Sequence, residues 1–177
     1  MTRLDSVIRR LTAQRDLLDW ASRIISPTGL VLELGLGNGR TYDHLRTRLP
    51  GREIYVFERS PAAHPACLPE PKYLMVGDIF DTLPPFIEAV GRRRAALIHA
   101  DIGSGDERLN REVALRMSPL LDELLQPGGL LLADRSFALP HCEDVTRETG
   151  VAEGRYYVYR RQPESAYSAA EQRTSAR

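Results

Sequence analysis

Apolar residues recur at helical spacing over residues 4–25: Leu4, Val7, Ile8, Leu11, Leu18, Ala21, Ile24 and Ile25, with Arg9, Arg10, Arg15 and Arg23 on much of the other face. The pattern predicts one long or two shorter amphipathic helices, ended by Pro27 and Gly29. Trp20 reads as a packing ring. The period then changes. Residues 30–34 (LVLEL) are a short apolar run interrupted by Glu33, as expected of a strand buried on both faces. Gly35, Gly37 and Gly39 follow, and Tyr42, Leu45 and Leu49 mark a helix stopped by Pro50-Gly51. A second strand is predicted over 53–57, ending at Glu58. Pro61, Pro65, Pro69 and Pro71 then predict a loop with at most a short helical turn. A third strand over 72–76 leads into Gly77-Asp78-Ile79. Phe86, Ile87 and Val90 mark a short helix, and residues 95–101 (AALIHAD) read as strand four.

Leu109, Val113, Leu115 and Met117 predict the next helix. Ser118-Pro119 has the signature of a fresh helix start, with serine as the cap and proline in the first turn. Pro127-Gly128-Gly129 predicts a turn before strand five over 130–133, with Asp134 at its end. Further on, 143–149 reads as a short helix and RYYVYRR, from Arg155, as a last strand. Strands alternating with helices imply an α/β fold: a doubly wound, mainly parallel sheet flanked by helices. The expected organisation is a helical cap over 1–28, a nucleotide-binding domain over 29–161 and a mobile polar tail over 162–177.

Bulk properties narrow the function. At 177 residues the chain has room for one full core. Its formal net charge is zero, which gives no electrostatic case for nucleic acid or for an anionic membrane surface. Cys67 and Cys142 match no metal spacing and read as reduced thiols of a cytoplasmic protein. The charged N-terminus does not read as a signal peptide. No apolar run approaches the roughly 18 residues of a membrane span.

In doubly wound sheets, ligands bind beyond the carboxyl ends of the strands. Residues 33–39, Glu58, Asp78, Asp101 and Asp134 all fall at such ends. The glycine turn departs from the dinucleotide fingerprint G-x-G-x-x-G, because Arg40 stands where the last glycine belongs. The pattern is E-x-G-x-G-x-G. An acid there would repel a pyrophosphate and suit a cationic or amino-bearing ligand. Glu58 is placed to accept the hydroxyls of a ribose diol.

With ELGLGNG, Glu58, the GDI of residues 77–79 and the PGG before strand five, the chain resembles the class I S-adenosylmethionine-dependent methyltransferases, as a small single-domain member of bacterial type. The resemblance spans roughly residues 31–134. It implies a Rossmann-like sheet whose last strand is antiparallel, with S-adenosyl-L-methionine as cofactor. It also implies residue roles. Glu33 and the backbone of Gly35 and Gly37 would hold the methionine part, including its ammonium group. Glu58 would bind the ribose. Asp78 would accept the adenine amino group, and the Ile79 amide would meet a ring nitrogen. Asp101 would lie near the sulfonium and the incoming substrate. Leu36, Asn38, Gly39, Arg59 and Gly77 complete the expected cofactor-binding set.

The expected reaction is methyl transfer to an O or N atom of a small molecule, with Asp101, His99 or His141 as the base. His99, inside a buried strand, is read first as a satisfied core histidine and only second as a base. Strands four and five are similar to those of metal-dependent catechol-type O-methyltransferases. There, however, His99 stands in place of an acid and Arg135 in place of an asparagine beside Asp134, so no metal is expected. Arg135 is read as a binder of a substrate anion or as a partner of Asp101 or Asp134. The base-methylating Asn/Asp-Pro-Pro-aromatic motif is absent after strand four, so nucleic acid is not the expected substrate. The expected partner is a small-molecule acceptor, with the N-terminal helices as lid or homo-oligomer contact. The alternatives are a catalytically weak methyltransferase-like scaffold and an NAD-dependent oxidoreductase.

Overall fold

The computed structural model describes residues 2–152 and 154–163. The chain runs α1 (Arg3–Ile24), β1 (Leu30–Leu34), α2 (Arg40–Arg48), β2 (Ile54–Glu58), β3 (Leu74–Val76), α3 (Ile79–Val90), β4 (Ala95–Ala100), α4 (Glu107–Leu124), β5 (Leu125–Ala133), β6 (Cys142–Asp144) and β7 (Tyr157–Arg161). Three-residue 3-10 turns at Pro65–Cys67 and Pro71–Tyr73 occupy the proline-rich stretch. The expected tail lies almost wholly outside the described residues.

The strands form one sheet in the order β3-β2-β1-β4-β5-β7-β6. The first five pair in parallel, and β7 runs antiparallel to both β5 and β6. Side chains alternate between the two faces. Val31, Val56, Leu97 and Leu132 pack beneath α1 and α2, against Leu17, Leu18, Ala21 and Leu45. Leu32, Leu34, Phe57, Ile98 and Leu131 pack beneath α3 and α4, against Leu83, Phe86, Met117 and Leu121. Each of these side chains larger than alanine, sealed from water, contributes about 1.5–3 kcal/mol.

α1 is a single helix of 22 residues. Its start is fixed by a capping box: the Thr2 hydroxyl accepts from the Asp5 amide at 3.1 Å, and the Asp5 carboxylate accepts from the Thr2 amide at 2.9 Å. The apolar stripe is used only from Ala13 onward, whereas Leu4, Val7 and Ile8 are exposed. The first turns therefore stand clear of the sheet.

Three expectations are corrected. Ser118-Pro119 does not open a new helix, because α4 is continuous through it. The Ser118 hydroxyl donates to the Ala114 carbonyl at 2.8 Å and accepts the Ala138 amide at 3.0 Å, tying α4 to the segment before β6. Pro119 removes the donor for the carbonyl of Leu115, a residue on the exposed side of the helix. Second, β5 begins at Leu125, so Pro127-Gly128-Gly129 is an irregularity within a strand, where the pairing jumps from Ala95↔Leu125 to Leu97↔Leu130. Third, residues 143–149 are not a helix: Cys142–Asp144 pairs with β7, and a 3-10 turn covers Thr146–Thr149. Among the described residues, no helix is long and apolar enough to cross a membrane.

Candidate functional site

The carboxyl ends of β1, β2 and β4 border a cavity of about 460 Å³, within the range of small-molecule sites. Its wall includes Gly35, Gly37, Phe57, Glu58, Gly77, Ile79, Phe80, Asp101, Ile102 and Val113. The glycine turn brings bare backbone to this wall. Gly35 has φ +90°, and a Cβ there would lie 2.6 Å from the Asp101 carbonyl oxygen, so the turn can pass strand four only as glycine. Gly39 caps α2 in the left-handed conformation, against Cys67.

Glu58 organises the turn. One carboxylate oxygen accepts the amides of Leu36 and Gly37 at 2.9 and 3.1 Å, and the other accepts the Ser60 amide at 3.0 Å. Partial burial works against its charged form, but the amides of Ser60, Gly37, Leu36 and Arg59 outweigh this and hold the carboxyl below its usual range. It is an anion at neutral pH. Asp101 is the second carboxylate on the wall. Its Oδ2 accepts from the Gln14 side chain of α1 at 2.6 Å, and Arg10 approaches the same oxygen at 3.9 Å. Phe57, Ile79 and Phe80 supply the apolar side, with the Arg116 guanidinium stacked 3.6 Å over the Phe80 ring.

Glu33 and His99 are somewhere else. Both point to the α1–α2 face and are sealed, at 0% and 1% exposure, and neither lines the cavity. Glu33 accepts from the Thr41 hydroxyl through one oxygen and meets His99 Nδ1 at 2.9 Å through the other. Burial opposes charge on His99, but the adjacent Glu33 carboxylate, with Asp101 and Asp134 beyond it, outweighs burial and raises the imidazole pKa. The two side chains form one buried hydrogen-bonded pair. Glu33, expected as an ammonium contact, and His99, expected as a base, thus lie beneath the cavity and pair with each other. Among the described residues, His99 Nε2 is buried without a hydrogen-bond partner, and its ring stacks 6.4 Å from that of buried Tyr156.

His141 is not in the site. It meets Asp122 of α4 at 2.5 Å and lines a separate cleft with Arg92, Arg93 and Arg161, near the amino-terminal end of β4. Asp78 caps α3, accepting the Phe80 amide at 3.0 Å, and its other oxygen accepts from exposed Arg59 at 2.9 Å. The neighbours Gly77 and Ile79 line the cavity, with Asp78 at its margin. Asn38 is exposed, and Leu36 lends its amide while its side chain is buried in the core. Arg135 resolves to its neighbour Asp134, in a two-pronged pair at 2.9 and 3.0 Å. Asp134 also accepts the Gly103 amide at 2.9 Å, and Ser104 and Asn110 exchange hydrogen bonds, so the lip after β4 is pinned. Sequence reasoning missed Gln14 and Tyr156. Gln14 alone carried a signal, as a polar residue interrupting the apolar stripe of α1.

The profile of one protein family, described as S-adenosyl-L-methionine methyltransferase, matches residues 1–161. The chain belongs to that family. It is similar to the crystal structure of an S-adenosyl-L-methionine methyl transferase from Silicibacter pomeroyi, at 40% identity and a TM-score of 0.83, over 91% of this chain and 99% of that one. Human methyltransferase-like protein 13 in complex with SAH aligns at 17% identity and a TM-score of 0.50, over 90% of this chain and 82% of that one, a likeness of fold. No curated protein matches. The chain is thus a methyltransferase that uses S-adenosylmethionine. The cavity fits that cofactor. Two carboxylates suit its positive charge, an apolar wall suits a purine, and a Cβ on Gly37 would meet no atom within 4 Å, so that stretch of backbone stands open.

Proposed function

We propose that this methyltransferase acts on an O or N atom of a small molecule, with Asp101 as the catalytic carboxylate on the acceptor side. In this reading Glu58 holds the ribose hydroxyls, while Gly35 and Gly37 lay backbone along the methionine part. Phe57, Ile79 and Phe80 enclose the purine, with the Ile79 amide at its edge. Bound S-adenosylmethionine supplies a methyl group already activated by sulfonium. The protein's share is therefore alignment and proton removal. Asp101 takes the proton from an acceptor O–H or N–H, and no covalent enzyme intermediate is required.

The observation that carries this reading is that Glu58 and Asp101 border one cavity from the ends of the two strands that flank β1, with the glycine turn between them. A screen of small hydroxyl- and amine-bearing metabolites, scored by release of S-adenosylhomocysteine with and without EDTA, tests it. Turnover lost in Asp101→Asn and insensitive to EDTA supports it. Turnover undiminished in Asp101→Asn removes the assignment.

A further inference from the structure

α1 contributes more than cover. Its buried face consists of Ala13, Gln14, Leu17, Leu18 and Ala21, so Gln14 is the polar member of an otherwise apolar surface. Its residue exposure is 3%. An amide in such a place is costly unless it is paired. The pairing reaches across 87 residues of sequence to Asp101 Oδ2, at 2.6 Å. A carboxylate only accepts, so the Gln14 amide presents its NH2 and the bond is charge-assisted.

The backbone of Asp101 is held as well. The Asp101 carbonyl lies against the glycine turn, where a Cβ on Gly35 would collide with it. The Asp101 amide donates to Leu34 at 3.1 Å. The backbone is thus fixed, and the side chain is held through Oδ2, while the residue still borders the cavity. We propose that Gln14 is a positioning residue for methyl transfer: it holds the Asp101 carboxylate against the cavity wall, which makes the N-terminal helix part of the active site. The inference rests on the acceptor-side role of Asp101 given above.

The test uses the two cofactor forms as probes and needs no acceptor. S-adenosylmethionine carries a sulfonium charge that S-adenosylhomocysteine lacks. A carboxylate fixed at the wall favours the charged form, whereas general loosening of the fold weakens both equally. Calorimetric titration of each ligand gives the ratio of affinities. Asp101→Asn lowers the preference for the charged form by about tenfold. Gln14→Leu lowers it in the same direction, by about three- to tenfold, with S-adenosylhomocysteine affinity within about twofold of wild type. Gln14→Met, which keeps the length of the buried chain without the donor, repeats the result should Gln14→Leu fold poorly. If Asp101→Asn shifts the ratio and neither Gln14 variant does, or if the Gln14 variants weaken both ligands equally, the positioning role is overturned and the Asp101 reading survives. If Asp101→Asn leaves the ratio unchanged, both fall together.

Discussion

His99→Leu is a severe test of the buried Glu33–His99 pair. The substitution keeps an apolar body of similar size on β4 but leaves the Glu33 carboxylate with Thr41 as its remaining partner, in a place no water reaches. Removing one member of a buried pair costs about 3–5 kcal/mol. The Thr41 hydrogen bond offsets about 1 kcal/mol of that. The expected net loss is about 2–4 kcal/mol, which for a domain of this size lowers Tm by about 5–15 °C. Glu33→Leu/His99→Leu removes both polar members and recovers most of the loss, a coupling that a double-mutant cycle in urea, followed by circular dichroism, measures directly. The pH dependence has a definite sign. His99 titrates higher in the fold than its unfolded value of about 6.5, so its contribution is complete below that pH and is lost as pH rises through the folded pKa. The advantage of wild type over the double variant therefore shrinks on the alkaline side. A His99→Leu protein within about 1 kcal/mol of wild type, or an advantage that grows with pH, would refute this account of the pair.

Glu58→Gln keeps the shape of the side chain but turns one oxygen into an NH2 that opposes the amides of Leu36 and Gly37 or that of Ser60. Cofactor affinity is expected to fall by about 2–4 kcal/mol, roughly 30- to 1000-fold, and a change under threefold in calorimetry would count against it. Gly35→Ala places a methyl group 2.6 Å from the Asp101 carbonyl at φ +90°, so both stability and cofactor binding drop, by about 1–3 kcal/mol in the melt. Asp78→Ala removes the cap of α3 and the Arg59 partner, costing about 0.5–2 kcal/mol of stability. An effect on cofactor affinity well beyond that loss would place Asp78 against the ligand.

The elements around the glycine turn were legible because their signals are local. LVLEL and AALIHA are continuous apolar runs, and the left-handed positions after β1 demand glycine whatever surrounds them. The strand-end acids Glu58 and Asp101 could be placed for the same reason, since strand order fixes the edge on which they emerge. The roles of Glu33 and His99 were not legible. One register position, Glu33↔His99, makes them partners, and nothing in either strand alone encodes that pairing. Ser118-Pro119 misled because the hydroxyl that caps a helix can equally turn back on the preceding carbonyl within one. β6 escaped notice because its three residues are held by pairing with β7, and so short a segment shows no period of its own.

The loop after β1 satisfies its own donors. In a phosphate-gripping turn these backbone N–H groups point outward and wait for an anion, but here the Leu36 and Gly37 amides are spent on Glu58. ATP and NAD share the sugar and the base of the methyl donor and abound in any cell. A turn whose Leu36 and Gly37 amides are already taken leaves two fewer donors for such phosphates.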